Sequence, residues 1–290
     1  VSGIGAKRRD MLQELGIHGL NDLASANPER LAVEMERFGE QHGDVARALV
    51  AQAMAQRDGL VERLDGTPAL PELQGAPGVL LYDIESDPDA RHDFLHGFLR
   101  LPRQSDGRWD LAAATYHPLL VMAEHGEQRS WLRLQRLLSR YDGWPILHYG
   151  ETETLSLRRL AQRQGASDAQ LRRLKRRLVD VHARIRSHWR LPLGSYGLKS
   201  VAAWRGFHWS QPGVDGARAL LWWRQWLGEG PKRRGSRHGL AWIFQYNQDD
   251  CRATWAVAEW LLKEDHLLKS GPVLDPVSYT HLTLPTILLV

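Results

Sequence analysis

Two acids stand where an apolar strand should end. VLLYDIESDP (79–88) runs through apolar and aromatic residues into Asp83, and Glu85 follows before Pro88 closes the segment. In a strand, residues i and i+2 point to the same face, so both carboxylates converge on one spot. Unpaired, they repel and raise each other's pKa, and a bound divalent cation removes that penalty. A hard cation such as Mg²⁺ takes oxygen ligands and leaves part of its shell to water and phosphate. Spacing alone does not decide for this chemistry. With 34 acids among 290 residues, acids at i and i+2 arise by chance roughly four times, and a charged turn after a strand would present the same pair.

Two further segments carry matching residue types. In IFQYNQDDCRAT (243–254), Tyr246 and Asp250 lie four apart on what reads as a long helix, so phenol and carboxylate share a face. Asp249 is expected to point to solvent, with Ile243, Phe244, Cys251, Trp255 and Val257 in a core. In ILHYGETETLSLRRLA (146–161), an apolar strand runs into a helix start, where Glu151 or Glu153 can reach across the strand ends. Thr152 is a candidate N-cap there, and acids in a first turn also serve ordinary capping.

The elements that must position these groups follow from pattern. Residues 1 to about 65 read as helical, with Met11, Leu12 and Leu15 on one face and Asn residues as caps. The stretch 66–77, rich in Pro and Gly, reads as a linker. Strands are expected at 79–85, 93–101 and about 109–115 as an antiparallel meander. A helix is expected from about Pro118 to Arg140, then a short strand in WPILHYG (144–150), then a helix from about Thr152. From there to about Glu264 the chain reads as mainly helical, broken at 191–197 and 209–216. Such an order implies an α/β fold, a mixed sheet with helices packed on it.

Composition narrows the class. With 43% hydrophobic residues the chain can bury a proper core. The net charge is only +4, but basic residues crowd one third of the chain: Arg158, Arg159, Arg163, Arg172, Arg173, Lys175, Arg176, Arg177, Arg184, Arg186 and Arg190. KRRGSRH (232–238) adds a second cluster. These suit phosphate backbones or solvated helix faces. The single cysteine, Cys251, excludes an internal disulfide and fits a reducing compartment; it reads as a buried thiol. No apolar run reaches the length of a membrane span, so a cytoplasmic protein without a membrane partner is the expectation. Trp222, Trp223 and Trp226 could stack bases, although core packing is their commoner use. No glycine-rich phosphate loop follows a strand, which argues against an NTP-binding regulator.

Taken in order, YDIE (82–85), HYGETE (148–153), LVD (178–180), SYGLKSVA (195–202) and YNQDDCRAT (246–254) resemble the ribonuclease H-like exonuclease domain of the YprB type. That is a branch of the DEDD exonucleases found also in bacterial RecB-like nucleases, and the resemblance covers roughly 78–265. It implies a ribonuclease H-like mixed sheet and a metal-dependent 3'–5' exonuclease acting on DNA or RNA, with a place in DNA repair. By the same resemblance Asp83, Glu85, Glu153 and Asp250 hold two Mg²⁺ or Mn²⁺ ions about 4 Å apart, and Tyr246 orients the attacking water. HYGETE departs from the Asn-containing segment with Asp that many members carry, so Glu151 or Glu153 is the ligand. Asp180, Tyr196 and Lys199 match family positions too, Asp180 as a neighbour of the site and Lys199 as a phosphate contact.

The opening VSGIGAKRRDMLQELGIHGLNDLA resembles a helix-hairpin-helix unit. Gly3 and Gly5 would offer backbone N–H groups to a phosphate, with Lys7, Arg8 and Arg9 adding charge. Val1 is not an initiator Met, and the unit's first helix and an upstream nuclease domain are expected to precede it in a longer chain. The tail VSYTHLTLPT (277–286) resembles one reading frame of a transposon-based sequencing adapter, so 276–290 are expected to be non-native. The competing function is a catalytically silent nucleic-acid-binding module of a larger repair nuclease. Convergence of the four carboxylates separates the two readings.

Overall fold

Alternation in VLLY dictates the layering. The computed structural model describes residues 1, 3–122, 126–229 and 236–270. In it, Val79 and Leu81 enter one apolar core while Leu80 and Tyr82 enter another, as successive side chains of a strand must. A strand buried on both faces reads as one apolar run, which is why its two acids stood out.

Five helices come first: α1 (Ala6–Glu14), α2 (Leu20–Ser25), α3 (Pro28–Glu36), α4 (Glu40–Gly43) and α5 (Ala46–Asp58). They bury Leu12, Leu23, Leu31, Met35 and Leu49 in a core of their own. Asn27 caps α3 by accepting from the Arg30 N–H at 2.9 Å, with Pro28 at the first helical position. Two short strands, β1 (Glu62–Arg63) and β7 (Trp189–Arg190), then pair antiparallel and join this region to the rest. The stretch 66–77 lies against the large core. Ala69, Leu70 and Leu73 are buried there, and Asp265 accepts from the N–H groups of Ala69 and Leu70 and from Arg63.

The main sheet contains β2 (Gly78–Asp87), β3 (His92–Pro102), β4 (Thr115–Leu120), β5 (Ile146–His148) and β6 (Leu178–Asp180) in the order β4-β3-β2-β5-β6. β2–β3 and β3–β4 are antiparallel, whereas β2–β5 and β5–β6 are parallel. On one face lie α6 (Gly126–Arg140), α7 (Glu151–Arg163) and α8 (Asp168–Arg177), through Trp131, Leu134, Leu157 and Leu174. The other face is covered by α9 (Val181–His188), α10 (Leu198–Trp204) and the 35-residue α12 (Ser236–Ser270), through Ile185, Val201, Cys251 and Trp255. α11 (Gly216–Glu229) packs Trp223 and Trp226 against Phe94 and Ile243. No described helix is long and apolar enough to cross a membrane.

Three expected elements shift. The strand expected at 109–115 lies at 115–120, because Asp110 accepts from the Ala113 N–H and closes a turn before alternation resumes. Pro118 therefore belongs to an edge strand, where its missing N–H costs nothing, and the helix starts at Gly126 instead. Thr152 is not a cap: Gly150, at φ 118°, precedes α7. The basic segment 232–238 and the tail 276–290 lie outside the described residues or side chains.

α12 comes close to β2 and β3 at Gly97. Gly97 pairs with Asp83 across the sheet, and a methyl group at residue 97 would lie 1.6 Å from Asn247 Oδ1 and 2.8 Å from the Tyr116 hydroxyl. Both neighbours are side chains tied to one another by a hydrogen bond, so neither can yield without breaking it. Gly97→Ala is expected to lower the unfolding free energy by about 1–3 kcal/mol or more through overpacking, measured as a shift in urea midpoint at constant m-value.

Candidate metal centre

β2 carries Asp83 and Glu85 on the face that α12 covers, the same parity as Val79 and Leu81. One carboxylate oxygen each from Asp83, Glu85 and Asp250 lie within 4.8 Å of one another, Asp83 half-buried and the other two buried. Tyr246 and Asp250 lie four residues apart and share a face of α12. The Trp209 indole N–H donates to Asp250 Oδ1 at 2.6 Å. Asn247 Nδ2 donates to Asp83 Oδ2 at 2.7 Å and to Glu85 Oε1 at 3.4 Å, while its Oδ1 accepts from the Tyr116 hydroxyl at 2.8 Å.

Glu153 stands beside this group. It lies in the first turn of α7, is buried, and its Oε2 has no hydrogen-bond partner; Glu151 is exposed. The start of α7 is held from behind. Asp180 Oδ1 accepts from the Gly150 N–H at 3.0 Å and from the Ala183 N–H at 3.2 Å, so one carboxylate caps α9 and fixes the turn before Glu153. The buried His148 ring bonds to the Gly150 carbonyl at 2.8 Å and to the Thr154 hydroxyl at 3.0 Å.

Burial dominates the electrostatics. It pushes the Asp83 and Glu85 carboxyls well above the ordinary carboxylate range, with the Asp250 charge as the next cause for both. Burial likewise lifts Asp250 to about 6, against the Trp209 and Tyr246 hydrogen bonds that lower it. Glu153 rises to about 7, again by burial, with the charges of Asp180 and Asp250 adding. No described arginine or lysine forms an ion pair with these four. The nearby cation is Lys199, whose charge acts on Glu85 and Asp250. Its ammonium lies 5.4 Å from the Tyr246 ring centroid and donates to the Val214 carbonyl. An all-oxygen donor set, raised carboxyl pKa values and an orphaned Glu153 oxygen together fit a hard divalent cation.

The remaining residues singled out by sequence lie elsewhere. Tyr196 is structural: its hydroxyl accepts from the Leu191 N–H at 2.7 Å and donates to Gln52 Oε1 at 2.9 Å, tying α5 to the 191–196 loop. Gly3 (φ 87°) and Gly5 form the approach to α1, whose N-terminus has no side-chain cap. Arg8 donates to the Gly3 carbonyl, and Lys7 is exposed. Asp249 does not face solvent; it is buried and accepts from the Ser210 N–H at 2.9 Å and hydroxyl at 2.5 Å, because the loop after α10 folds over that side of α12. Cys251 is buried with its thiol pKa raised, first by burial. Trp223 stacks on Phe94 at 4.5 Å and on Trp226 at 5.3 Å, so this pair is core rather than a stacking platform for bases.

Asn247 and Trp209 were not foreseen. A signal for Asn247 existed: Ile243, Asn247 and Cys251 recur at i, i+4 and i+8, so a polar residue interrupts a stripe that is otherwise buried. Trp209 sits in a loop with no periodicity to mark it.

A family model described as the RNase H superfamily matches residues 80–262. No curated protein and no solved structure matches the chain. The five-stranded mixed sheet flanked by helices agrees with that family's fold, and the acidic group fits a nuclease.

The raised pKa values fix a direction for pH. A carboxyl with a higher pKa folded than unfolded holds its proton longer in the folded chain. Its stabilising contribution is complete below the unfolded value near 4 and is lost as pH rises through about 6 for Asp250 and about 7 for Glu153. Chelator-treated protein should therefore lose thermal stability between about pH 4 and pH 7 relative to the Glu153→Gln, Asp250→Asn double variant. Added Mg²⁺ or Mn²⁺ should raise the midpoint of the unsubstituted chain more at pH 8 than at pH 6. Parallel profiles, or a cation effect independent of pH, would contradict this.

Proposed function

The chain belongs to the RNase H superfamily, and from that membership and the buried acidic group we propose that it hydrolyses phosphodiester bonds of nucleic acid, working from the 3' end with Mg²⁺ or Mn²⁺. The observation that carries the reading is the convergence of Asp83, Glu85 and Asp250 next to the unpartnered Oε2 of Glu153. Asp83, Glu85, Glu153 and Asp250 would hold two cations. Bound there, the cations would supply Lewis-acid stabilisation of charge on the phosphate and acidify a water. The 3' direction rests on the order of YDIE, HYGETE and YNQDDC, which resembles that of the DEDD exonucleases.

The chain's own residues divide the remaining work. Tyr246 keeps its proton, because burial and then the charges of Asp250, Glu85 and Asp83 raise its pKa far above that of a free phenol. It is thus a neutral hydrogen-bonding group that orients a water rather than a base. Asn247 and Trp209 are positioning residues that hold Asp83 and Asp250 in register. Lys199 adds positive charge where a phosphate would lie. Asp180 fixes the turn that presents Glu153. A module that only binds nucleic acid gains nothing from burying mutually repelling carboxylates, which costs stability unless a cation neutralises them.

The test is a 3'-labelled single strand incubated with the protein. Label should be released with Mg²⁺ or Mn²⁺ and retained with chelator. Asp83→Asn, Asp250→Asn and Glu153→Gln should each slow release by roughly a hundredfold or more, whereas Glu151→Gln stays within about twofold. Tyr246→Phe should cost about tenfold to a hundredfold with cation binding retained. Release that needs no metal, or that proceeds in Asp83→Asn and Asp250→Asn at the rate of the unsubstituted chain, would sink the reading.

A further inference from the structure

α6 carries a second cationic surface away from the acidic group. Its sequence, GEQRSWLRLQRLLSR, places Arg129, Arg133, Arg136 and Arg140 at intervals of four, three and four residues. At 3.6 residues per turn they fall within about 60° of the helix circumference and extend about 16 Å along its axis. All four are exposed. The opposite side of the helix is used up: Ser130, Trp131, Leu134 and Leu137 are buried against the sheet, so α6 has no apolar face left for a lipid surface.

Several arginines of this chain are paired with carboxylates. Arg163 meets Glu127, Arg173 meets Asp142, Arg184 meets Glu72 and Arg224 meets Asp87. Among the described residues, none of the four on α6 forms an ion pair with a carboxylate; Arg140 lies over the Tyr141 ring at 5.7 Å. Like charges at i, i+3 and i, i+4 destabilise a helix, and Arg129 in the first turn opposes the helix dipole. Among the described residues no carboxylate offsets that repulsion, and a polyanion would relieve it.

The row also has a place in the fold. The Ser130 hydroxyl donates to the Leu120 carbonyl at 3.2 Å, and Leu120 pairs with Leu95, which pairs with Glu85. The row therefore begins at the level of the acidic group. It then runs toward Tyr141, which meets Arg100 and His117 of β3 and β4, on the sheet face opposite α12. We propose that Arg129, Arg133, Arg136 and Arg140 form a track for the phosphate backbone of nucleic acid, separate from the carboxylates. About 16 Å of one duplex strand carries about five phosphates, and the planar arginine fork suits phosphate oxygens better than a lysine point charge does. The proposal rests on the nucleic-acid partner that the family implies, but not on cleavage.

The experiment reads binding in chelator, so that cleavage cannot enter. Affinity for a 20-nucleotide single-stranded DNA and for a 20-base-pair duplex is measured against salt for the unsubstituted chain and for a variant with all four arginines changed to Gln. The four-fold variant should bind at least one probe roughly tenfold or more weakly near 0.1 M salt, with the slope of log K against log salt reduced by about 3. Arg133→Gln and Arg136→Gln alone should each give about a quarter of that slope change, and all-Lys replacement should keep the slope. Unchanged affinity and slope on both probes would overturn the track. So would four-fold loss of binding to polyglutamate with nucleic acid unaffected, which would point to an acidic protein partner. Absence of any nuclease activity would leave these binding results as they are and would count only against the hydrolytic reading.

Discussion

The approach of α12 to Gly97 is the constraint on which the site depends. β2 supplies Asp83 and Glu85, but a helix carrying Asp250 must come close enough to join them. The missing side chain at residue 97 lets Asn247 sit over the β2–β3 ladder. From there one amide both donates to Asp83 and accepts from Tyr116. The contact is costly to make, because it brings carboxylates together in a poorly solvated space. The apolar mass around it offsets the cost: Trp255, Val257 and Leu261 of the same helix are buried with Val79, Leu81 and Leu99 of the sheet. Hydrophobic burial thus holds in place a group of charges that would not assemble alone.

A second support reaches the site from the parallel half of the sheet. β5 and β6 are each only three residues long, too short to fix an active group by themselves. Side-chain bonds take over at their ends. His148 closes on Gly150 and Thr154, and Asp180 holds Gly150 while capping α9. The acidic group therefore lies at the carboxyl ends of β2 and β5, where open α/β sheets place their ligands.

Much of this was legible in the chain, for physical reasons that also explain the gaps. The period-2 run of β2 and the i, i+4 spacing of Tyr246 and Asp250 encode faces directly, so their acids could be placed without coordinates. The choice between Glu151 and Glu153 was not encoded, since both sit in a first turn; burial of one and exposure of the other follow from how α7 leaves Gly150. Asp249 was misplaced because a helical wheel knows nothing of a loop that returns to cover it. β4 starts later than its pattern suggests, since Trp109 to Ala114 holds turn chemistry that mimics alternation. LVD forms a strand that the sequence does not mark, because three residues flanked by helices carry no period of their own.

One strand shows how the protein treats acids it uses for structure and acids it leaves for something else. Asp83, Glu85 and Asp87 follow at i, i+2 and i+4 in β2, but the register shifts after Glu85, and the third acid is handled differently. Arg224 of α11 binds Asp87 with two nitrogens, at 2.9 and 2.6 Å, and those hydrogen bonds hold its pKa down to about 2. The Asp89 and Ala90 N–H groups donate to the same carboxylate at 3.1 and 3.2 Å and shape the turn after Pro88. Asp87 is thus ionised and neutralised by the chain itself. Asp83 and Glu85, in the same strand, share the Asn247 amide, and among the described residues no arginine or lysine forms an ion pair with them. The chain thus neutralises Asp87 with a bidentate arginine and gathers Asp83 and Glu85 with Asp250 into a buried acidic group that could hold a metal ion.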